Sequence, residues 1–560
     1  MARLCVIIGS RRGLARKIDM RTRGKPGFWL GLLSGLLLTF PLVAIFYLGY
    51  RLATLPFLPF NLFDWQTRIL PGPVIAKGIG TMVTIIGWFH LSHTSQVAKL
   101  AEQSMAVTEF IVAGMVVGAL FFVFLRLASR KAALPAGLIV GGFLGGVAAW
   151  LSYRIESFSA ASPAARAAWI VVLFLGWGAA LGWAYRRMRP EVVGGAEEAA
   201  ASPMQRIDRR SFLLRFAGIA AVVSVAAMVA GKLLGQRAQA PAREGGGPWS
   251  ASHPLPNADA AVQPAPGTRP DLTPVSQHYR IDIDTVPPAI PESSWRLKVQ
   301  GLVSQPTEWT LAELRARPAT HQFITLSCIS NPVGGDLIGT QRWTGVSLQQ
   351  LLPGLALQPS ATHLKIHSAD GFYEIVALET IRSDPRVMLT YAWDGLPLPE
   401  KHGFPLRIYI PDHYGMKQPK WIESIEVIDH WEPGYWVVRG WDREARVKAT
   451  SVIDAVASNM MIAQPSREMR IPVGGIAYAG ARGISKVEVR VDDGAWAPAE
   501  LRTPLSGLTW VIWRYDWPIE RGKHTFTVRC VDGNGTPQIV PEAPPDPSGA
   551  AGLDTRTVML

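Results

Sequence analysis

Long apolar stretches dominate the first 231 residues of the chain and then stop. Five of them are close to the roughly 20 residues that a helix needs to cross a bilayer, and they cover residues 28–48, 104–125, 134–151, 167–185 and 212–231. A sixth stretch, 74–91, is apolar but carries Lys77 and several glycines, so its placement stays open. The pattern predicts an N-terminal transmembrane bundle of about five α-helices over residues 28–231.

Beyond this region the pattern changes. Residues 232–273 are rich in Ala, Pro and Gly with few large apolar side chains, which predicts an extended linker without a core of its own. Residues 274–438 mix short alternating runs with a short helical pattern, which is typical of an α+β domain. In residues 439–560, alternating valines lead into Asp493-Gly494, a hairpin signal that favours an all-β sandwich of immunoglobulin-like type.

Basic residues cluster beside the apolar stretches. The net charge is +13, and Arg and Lys are concentrated in the N-terminal segment 1–27, in 126–131 and in 186–210. Positive flanks mark the cytoplasmic side of a membrane, so five spans from a cytoplasmic N-terminus place the soluble domains outside. A sixth span at residues 74–91 would instead place the large soluble domain in the cytoplasm. We therefore expect a multi-pass protein in contact with the lipid bilayer of the inner cell membrane, with its soluble domains on the periplasmic side. No zinc-finger spacing or basic-aromatic motif favours a nucleic-acid partner.

A pair of arginines precedes the last apolar stretch. Arg209 and Arg210 are followed by Phe212-Leu213, an arrangement that resembles a twin-arginine export signal. Such a signal exports proteins that have already folded. The alternative is an ordinary positive flank of a membrane span.

One cysteine stands where regular structure should break. Cys328 ends a strand-like run, and Asn331-Pro332 and Gly334-Gly335 follow directly. Turn residues of this kind open a loop, where the thiol could face a ligand; the alternative is a buried, inert cysteine. The chain has three cysteines without a CxxC motif, so neither a disulfide framework nor a cysteine-based zinc or iron–sulfur site is expected. The five apolar stretches contain no histidine, which argues against a haem with paired histidine ligands.

Three sequence blocks, in this order, resemble one enzyme family. They are CISNPVGGDLIG from Cys328 with the RWTGV that follows it, the run from His402 to Trp421, and the segment from Gly480 to Gly533. The blocks are similar to sulfite-oxidase-type molybdopterin-dependent oxidoreductases. The first two match the cofactor domain and the third matches the C-terminal dimerisation domain. The resemblance covers residues 276–538, about half of the chain.

The resemblance implies a molybdenum–molybdopterin cofactor and gives residues their roles. Cys328 would be the thiolate ligand of the metal and a catalytic residue, because molybdenum favours a soft ligand. Arg280 would be the second catalytic residue and help to bind the substrate. Cofactor contacts are implied for Asn331, His402, Arg407, Gly415, Gln418 and Lys420. Arg407 and Lys420 would hold the pterin phosphate.

Two departures from the family concern the substrate. Pro332-Val333-Gly334 stand where sulfite oxidases carry arginines, and Asp384 stands in place of a pocket tyrosine. We expect a membrane-anchored oxidoreductase that transfers an oxygen atom on a small, sulfur-containing substrate and exchanges electrons with a separate cytochrome or quinone. A reductase of S-oxides, such as methionine sulfoxide, is the alternative with the same cofactor. A cysteine hydrolase and a non-enzymatic adhesion protein are weaker alternatives, and a homodimer is left open.

Overall fold

The apolar part of the chain folds into long helices. A computed structural model of the protein describes residues 25–75, 77–78, 81, 85, 94–127, 129–155, 161–189, 209–235, 249–250, 252–459, 462–463 and 469–560. The chain divides into two compact units, Met1–Arg68 with Ala101–Pro241, and Ile69–Leu100 with Ala242–Leu560. The N-terminal helices are α1 (Phe28–Ala53), α2 (Leu58–Ile69), α3 (Thr94–Leu125), α4 (Ala133–Ile155), α5 (Pro163–Met188) and α6 (Arg209–Gly235).

Each of these helices except α2 is long and apolar enough to cross a membrane. Among the described residues there are five such helices, and each contains one of the five predicted stretches. The prediction of five apolar helices is therefore confirmed, with helices longer than the stretches because their polar ends continue the helical hydrogen bonding. Most of stretch 74–91 lies outside the described residues, and its placement stays open.

Small residues let the helices of the first unit approach one another closely. A Cβ atom added to Gly178 in α5 would lie 2.1 Å from the carbonyl oxygen of Gly137 in α4. In the same way, a Cβ atom on Gly35 in α1 would lie 2.3 Å from the carbonyl oxygen of Gly114 in α3. Close backbone approach at small residues is how helices associate in an apolar solvent, where packing replaces the hydrophobic effect.

Gly178→Val should destabilise the helix pair α4–α5. The added side chain would overlap the backbone of Gly137, and overpacking of this kind costs about 1–3 kcal/mol. We expect a lower midpoint of thermal unfolding for the full chain in detergent, followed by tryptophan fluorescence. Gly176→Val is the matched control, because a Cβ atom on Gly176 would meet nothing within 4 Å. Equal midpoints for the two variants would contradict the close packing.

The central part of the second unit is α+β. Its helices are α7 (Leu311–Arg315), α8 (Leu348–Leu351) and α9 (Leu378–Ser383). Its strands are β1 (Leu297–Gly301), β2 (Thr307–Trp309), β3 (Thr320–Ser327), β4 (Ile338–Ser347), β5 (His363–Ser368), β6 (Tyr373–Ala377), β7 (Met388–Trp393), β8 (Leu396–Pro397), β9 (Arg407–Tyr409) and β10 (Ile422–Ile428). These strands form one sheet in the order β2-β1-β10-β5-β6 and another in the order β3-β4-β7-β8, to which β9 adds by pairing with β7. The pair β1–β10 is parallel, and the other pairs are antiparallel.

In the C-terminal part, the regular elements of the described residues are strands, apart from a short turn of 3₁₀ helix. They are β11 (Thr450–Val456), β12 (Ile462–Ala463), β13 (Met469–Tyr478), β14 (Ile484–Val491), β15 (Ala497–Pro498), β16 (Glu500–Leu501), β17 (Val511–Pro518), β18 (Lys523–Asp532) and β19 (Asp554–Met559). The sheet β11-β13-β17-β16, with β12 beside β13, faces the sheet β15-β14-β18-β19. Val473 and Trp513 of the first sheet share a core with Phe526 and Cys530 of the second. The predicted all-β sandwich is present, and Cys530 is a core residue.

Part of the predicted linker differs from an extended tether. Residues 236–248 lie outside the described residues, whereas residues 252–273 lie against the C-terminal strands. Arg269 pairs with Asp454 at 2.7 Å, and Arg502 pairs with Asp271 at 3.2 Å. Residues 252–273 need no core of their own because charged side chains bind them to a finished domain. The bounds 232–273 of the linker stay a prediction, and residues 252–273 are held against the C-terminal strands by these ion pairs.

Candidate active site

Cys328 stands directly beyond the hairpin of β3 and β4. The hairpin pairs Ser327 with Ile338, and the amide of Cys328 donates to the carbonyl of Leu337 at 2.9 Å. The ten residues between the strands therefore form a closed loop with the cysteine at its base. Inside it, the Asn331 side-chain oxygen accepts a hydrogen bond from the amide of Leu337 at 2.9 Å. The strand-end position predicted for the thiol is present.

The thiol of Cys328 is buried and has a polar neighbour. The side chain is 6% exposed, and its sulfur lies 3.0 Å from the Ser330 hydroxyl. Burial raises the pKa of the thiol, against the hydrogen bonds from Ser330 and the positive charge of Lys420. Among the hydrogen bonds of the described residues, none joins this sulfur to a histidine. The arrangement does not form a Cys–His nucleophile pair, whereas a metal cation would favour the thiolate.

His402 and Arg407 lie side by side against tryptophan rings. The Arg407 guanidinium stands 4.8 Å from the ring centre of Trp343 and 5.8 Å from that of Trp393, and it donates to the carbonyl of His402 at 3.0 Å. Burial lowers the pKa of Arg407 to about 10, so the group stays charged at neutral pH. Burial also holds the pKa of His402 well below its ordinary value, so its ring is neutral. The site thus combines a buried cation with a neutral imidazole.

Asp282 joins the remaining cations of the site. Its carboxylate lies 2.6 Å from Arg280, 3.0 Å from Lys420 and 3.0 Å from Lys99. Burial alone would raise the pKa of Asp282, but the three cations hold it well below its ordinary range. Burial lowers the pKa of Lys420 to about 8, while Asp282 opposes that shift. Arg280 and Lys420 are therefore brought together by one carboxylate.

Gly415 and Gln418 stand on the segment before Lys420. A Cβ atom on Gly415 would lie 3.0 Å from the Tyr279 hydroxyl, so a side chain here would crowd that group. The Gln418 amide donates to the carbonyl of His413 at 2.9 Å, while its side-chain oxygen is buried without a hydrogen-bond partner. The side-chain oxygen of Asn331, by contrast, already accepts the hydrogen bond that closes the cysteine loop.

Comparisons with known proteins match this region. Residues 284–436 match the model of the family described as oxidoreductase molybdopterin binding domain. Residues 284–436 are a sulfite-oxidase-type molybdopterin oxidoreductase domain. This molybdopterin domain is therefore an enzyme domain, and its cofactor is molybdenum–molybdopterin. This match favours an oxidoreductase over the adhesion-protein and cysteine-hydrolase alternatives.

Several relatives share parts of the chain. It is 27% identical over 302 residues to sulfite oxidase of Gallus gallus, covering 44% of this chain and 64% of that protein. It is 33% identical over 150 residues to a putative protein-methionine-sulfoxide reductase subunit, YedZ1, of Azospira oryzae, covering 27% of this chain and 55% of that protein. The crystal structure of the sulfane dehydrogenase SoxCD from Paracoccus pantotrophus aligns with a TM-score of 0.44 at 21% identity, over 53% of this chain and 82% of that chain. The chain thus spans 55% and 64% of the length of the two curated relatives.

The residues of the molybdopterin domain fit its cofactor. The His402 Nε2 and Arg407 Nε atoms are buried without a hydrogen-bond partner, and buried polar atoms ordinarily have one. Arg407 has no carboxylate partner in the part of the chain that the structure describes, so its charge is available to a phosphate. The described residues contain no group of three or more His, Cys, Asp or Glu side chains that could hold a metal ion by itself. A metal carried by a pterin and completed by one thiolate suits this set of donors.

The structure adds residues that the sequence reasoning missed. Tyr279 packs in the same apolar cluster as Cys328, and the His278 ring centre lies 5.3 Å from that of His402. Asp282, two positions after Arg280, pairs with it. An acidic residue two positions after a candidate substrate-binding arginine was a usable signal for this ion pair. Asp384, placed at a pocket tyrosine by the resemblance, pairs with its neighbour Arg386 at 2.7 Å.

Asp370→Asn should remove a pH dependence of stability. Burial, reinforced by Asp284, raises the pKa of Asp370 to about 8, whereas in the unfolded chain it returns to about 4. A group with a raised folded pKa stabilises the fold at low pH, and this contribution is lost as the pH rises toward the folded value. Between about pH 5 and about pH 8 we therefore expect the wild type to lose more thermal stability than the variant. Unfolding of the cofactor-depleted full chain, followed by fluorescence, measures this difference, and parallel pH curves would contradict it.

Proposed function

We propose that the chain is a membrane-anchored molybdenum-cofactor oxidoreductase that transfers an oxygen atom to or from a small sulfur-containing substrate. The observation that carries this proposal is the presence of a buried thiol, Cys328, a buried cation, Arg407, and a partly buried cation, Lys420, in one molybdopterin domain. Cys328 is the protein ligand of molybdenum in this proposal. Arg407 and Lys420 bind the pterin phosphate, because a planar guanidinium and an ammonium are the usual partners of that group.

The other residues of the site orient the cofactor and exclude water. His402 presents its Nε2 atom as a neutral hydrogen-bonding group, and Asn331 keeps the loop of Cys328 closed. Gly415 leaves room for the cofactor beside Tyr279, and Gln418 offers its buried oxygen. When bound, the cofactor would carry the electron pair of the reaction: it would accept two electrons when the substrate gains an oxygen atom that derives from water, and it would donate two electrons when an S-oxide loses its oxygen atom as water. The protein supplies geometry and electrostatics, and a separate cytochrome or quinone takes or delivers the electrons.

The five apolar helices support membrane anchoring. Basic flanks at residues 126–131 and 186–210 support a topology in which the molybdopterin domain lies on the periplasmic side of the inner membrane. Arg209 and Arg210 begin α6, where a twin-arginine signal would stand directly before the last span. Export in a folded state would then follow insertion of the cofactor.

The C-terminal sandwich is immunoglobulin-like in this proposal. Its two antiparallel sheets, each with four strands in its main order and packed over one core, are consistent with that architecture. Its resemblance to a dimerisation domain makes a homodimer the assembly to test. Sedimentation of the full chain in detergent distinguishes a dimer from a monomer.

A specific ion pair favours the second candidate function, reduction of an S-oxide. The Arg280 guanidinium binds Asp282 through two of its nitrogens, at 2.6 and 3.0 Å, so a carboxylate already satisfies the group that would bind sulfite. An uncharged S-oxide needs hydrogen bonds but no excess positive charge. The name of the YedZ1 relative, a putative protein-methionine-sulfoxide reductase subunit, agrees with this chemistry.

Cys328→Ser should abolish oxygen-atom transfer. A hydroxyl is a harder and less readily ionised ligand than a thiol, so we expect activity to fall by about a hundredfold or more, because even changes behind a metal ligand cost up to about that factor. The thiolate-to-metal absorption of the oxidised enzyme should also vanish. Cys530→Ser is the matched control, because Cys530 lies in the sandwich core. Full activity of the Cys328 variant at normal molybdenum content would contradict the proposal.

The wild-type enzyme should prefer an uncharged S-oxide to sulfite. Because Asp282 occupies two donors of Arg280, we expect kcat/KM for the S-oxide, with a reduced dye as electron donor, to exceed that for sulfite by about tenfold or more. Asp282→Asn should shift this ratio toward sulfite, provided that its molybdenum content matches the wild type. Sulfite turnover that is faster than S-oxide turnover in the wild type would exclude the second candidate.

A further inference from the structure

The first two turns of α3 contact the segment that carries Arg280. Residues 94–100 belong to the second unit, although in sequence they precede the linker by more than a hundred residues. The Arg280 amide donates to the Ser95 hydroxyl at 3.2 Å, and the Gln96 side chain donates to the Ser276 carbonyl at 3.2 Å. Residues 276–284 are therefore held by a helix as well as by their own domain.

Lys99 makes three contacts with this segment, more than Ser95 or Gln96. Its ammonium donates to the carbonyls of Asp282 at 3.0 Å and Asp284 at 2.9 Å, and it pairs with the Asp282 carboxylate at 3.0 Å. The residue is 8% exposed. A buried ammonium that is satisfied by three oxygens is fixed in direction, so it also fixes the backbone on either side of Asp282.

The same helix end also touches the loop of Cys328. The amide of Thr94, one of the donors that a helix N-terminus leaves without an internal partner, donates to the carboxylate of Asp336 at 2.8 Å. Asp336 follows Gly335 in the loop that closes between β3 and β4. The helix end thus contacts the substrate side of the site through Arg280 and the metal side through the cysteine loop.

We propose that residues Thr94–Lys99 are a positioning element of the active site, in which Lys99 fixes Asp282 and thereby the direction of the Arg280 guanidinium. The inference rests on the proposed function, because it assigns Arg280 to substrate binding. It adds that the active site is completed by a segment upstream of the linker, at the start of an apolar helix. Loss of an interaction that binds the substrate and the transition state equally raises KM and leaves kcat unchanged.

Lys99→Met in the full-length holoenzyme tests this role. The assay uses sulfite or the S-oxide, whichever the wild type turns over faster. We expect KM for that compound to rise by about tenfold, with kcat within about twofold of the wild type, at equal molybdenum content. Lys99→Arg should restore most of the affinity, because a guanidinium can donate to the same oxygens. Lys523→Met is the matched control, since Lys523 is an exposed lysine of β18 in the sandwich. Unchanged KM in the Lys99→Met enzyme overturns the proposal, and so does a loss in Lys99→Arg that equals the loss in Lys99→Met.

Two milder variants serve if Lys99→Met does not fold or loses molybdenum. Gln96→Ala removes the contact to Ser276, and Asp336→Asn weakens the contact to the helix N-terminus. A higher KM in the double variant supports the positioning role, and an unchanged KM overturns it.

Hydrogen–deuterium exchange separates this inference from the proposed function. A wild-type chain that holds molybdenum but turns over neither sulfite nor an S-oxide contradicts the proposed function alone. In that case, faster exchange in residues 276–284 of Lys99→Met, reversed in Lys99→Arg and absent in Lys523→Met, still supports the positioning element. Unchanged exchange in that segment contradicts it.

Discussion

The carboxylate of Asp282 is the constraint on which the arrangement of the site depends. It is buried among Arg280, Lys420 and Lys99, each within 3.0 Å. Removing one partner of a buried ion pair is far more costly than the pair is stabilising, at about 3–5 kcal/mol, because the remaining charge stays uncompensated. The cations therefore cannot move independently. One acidic side chain sets the spacing between the residue proposed to meet the substrate and the residue proposed to meet the phosphate.

The opposite part of the site has a different electrostatic design. Arg407 lies against the faces of Trp343 and Trp393 and not against an acid. The two imidazoles of His278 and His402 are neutral, because burial lowers the pKa of the first to about 3 and holds that of the second well below its ordinary value. Aromatic faces stabilise a cation only partly, so this side retains positive potential. The neutral histidines and Arg407 can therefore hydrogen-bond to an anion on this side of the site, and in the described part of the chain no acidic side chain pairs with Arg407 to repel that anion.

Much of this architecture could be predicted from the sequence. The apolar stretches gave all five long helices because length and composition suffice for a membrane span, and the strand–turn pattern placed Cys328 correctly. The ion pairs of Asp282 with Lys99 and Lys420 could not be predicted, because they join residues more than a hundred positions apart. The ordered part of the linker was missed for the same reason. Its composition shows only that the segment has too few large apolar residues to form a core by itself. The ion pairs of Arg269 and Arg502, which bind it to a neighbouring domain, cannot be read from composition.

The aromatic surroundings of Arg407 have a consequence for the stability of the protein before it binds its cofactor. Without an anion, the buried guanidinium leaves its Nε atom without a hydrogen-bond partner, and such a group costs the fold about 1–3 kcal/mol or more because it is charged. A ligand that binds only the folded state adds its binding free energy to stability. Empty and loaded molecules therefore differ in their resistance to unfolding and proteolysis. Quality control can act on that difference, removing empty chains without any factor that inspects the site itself.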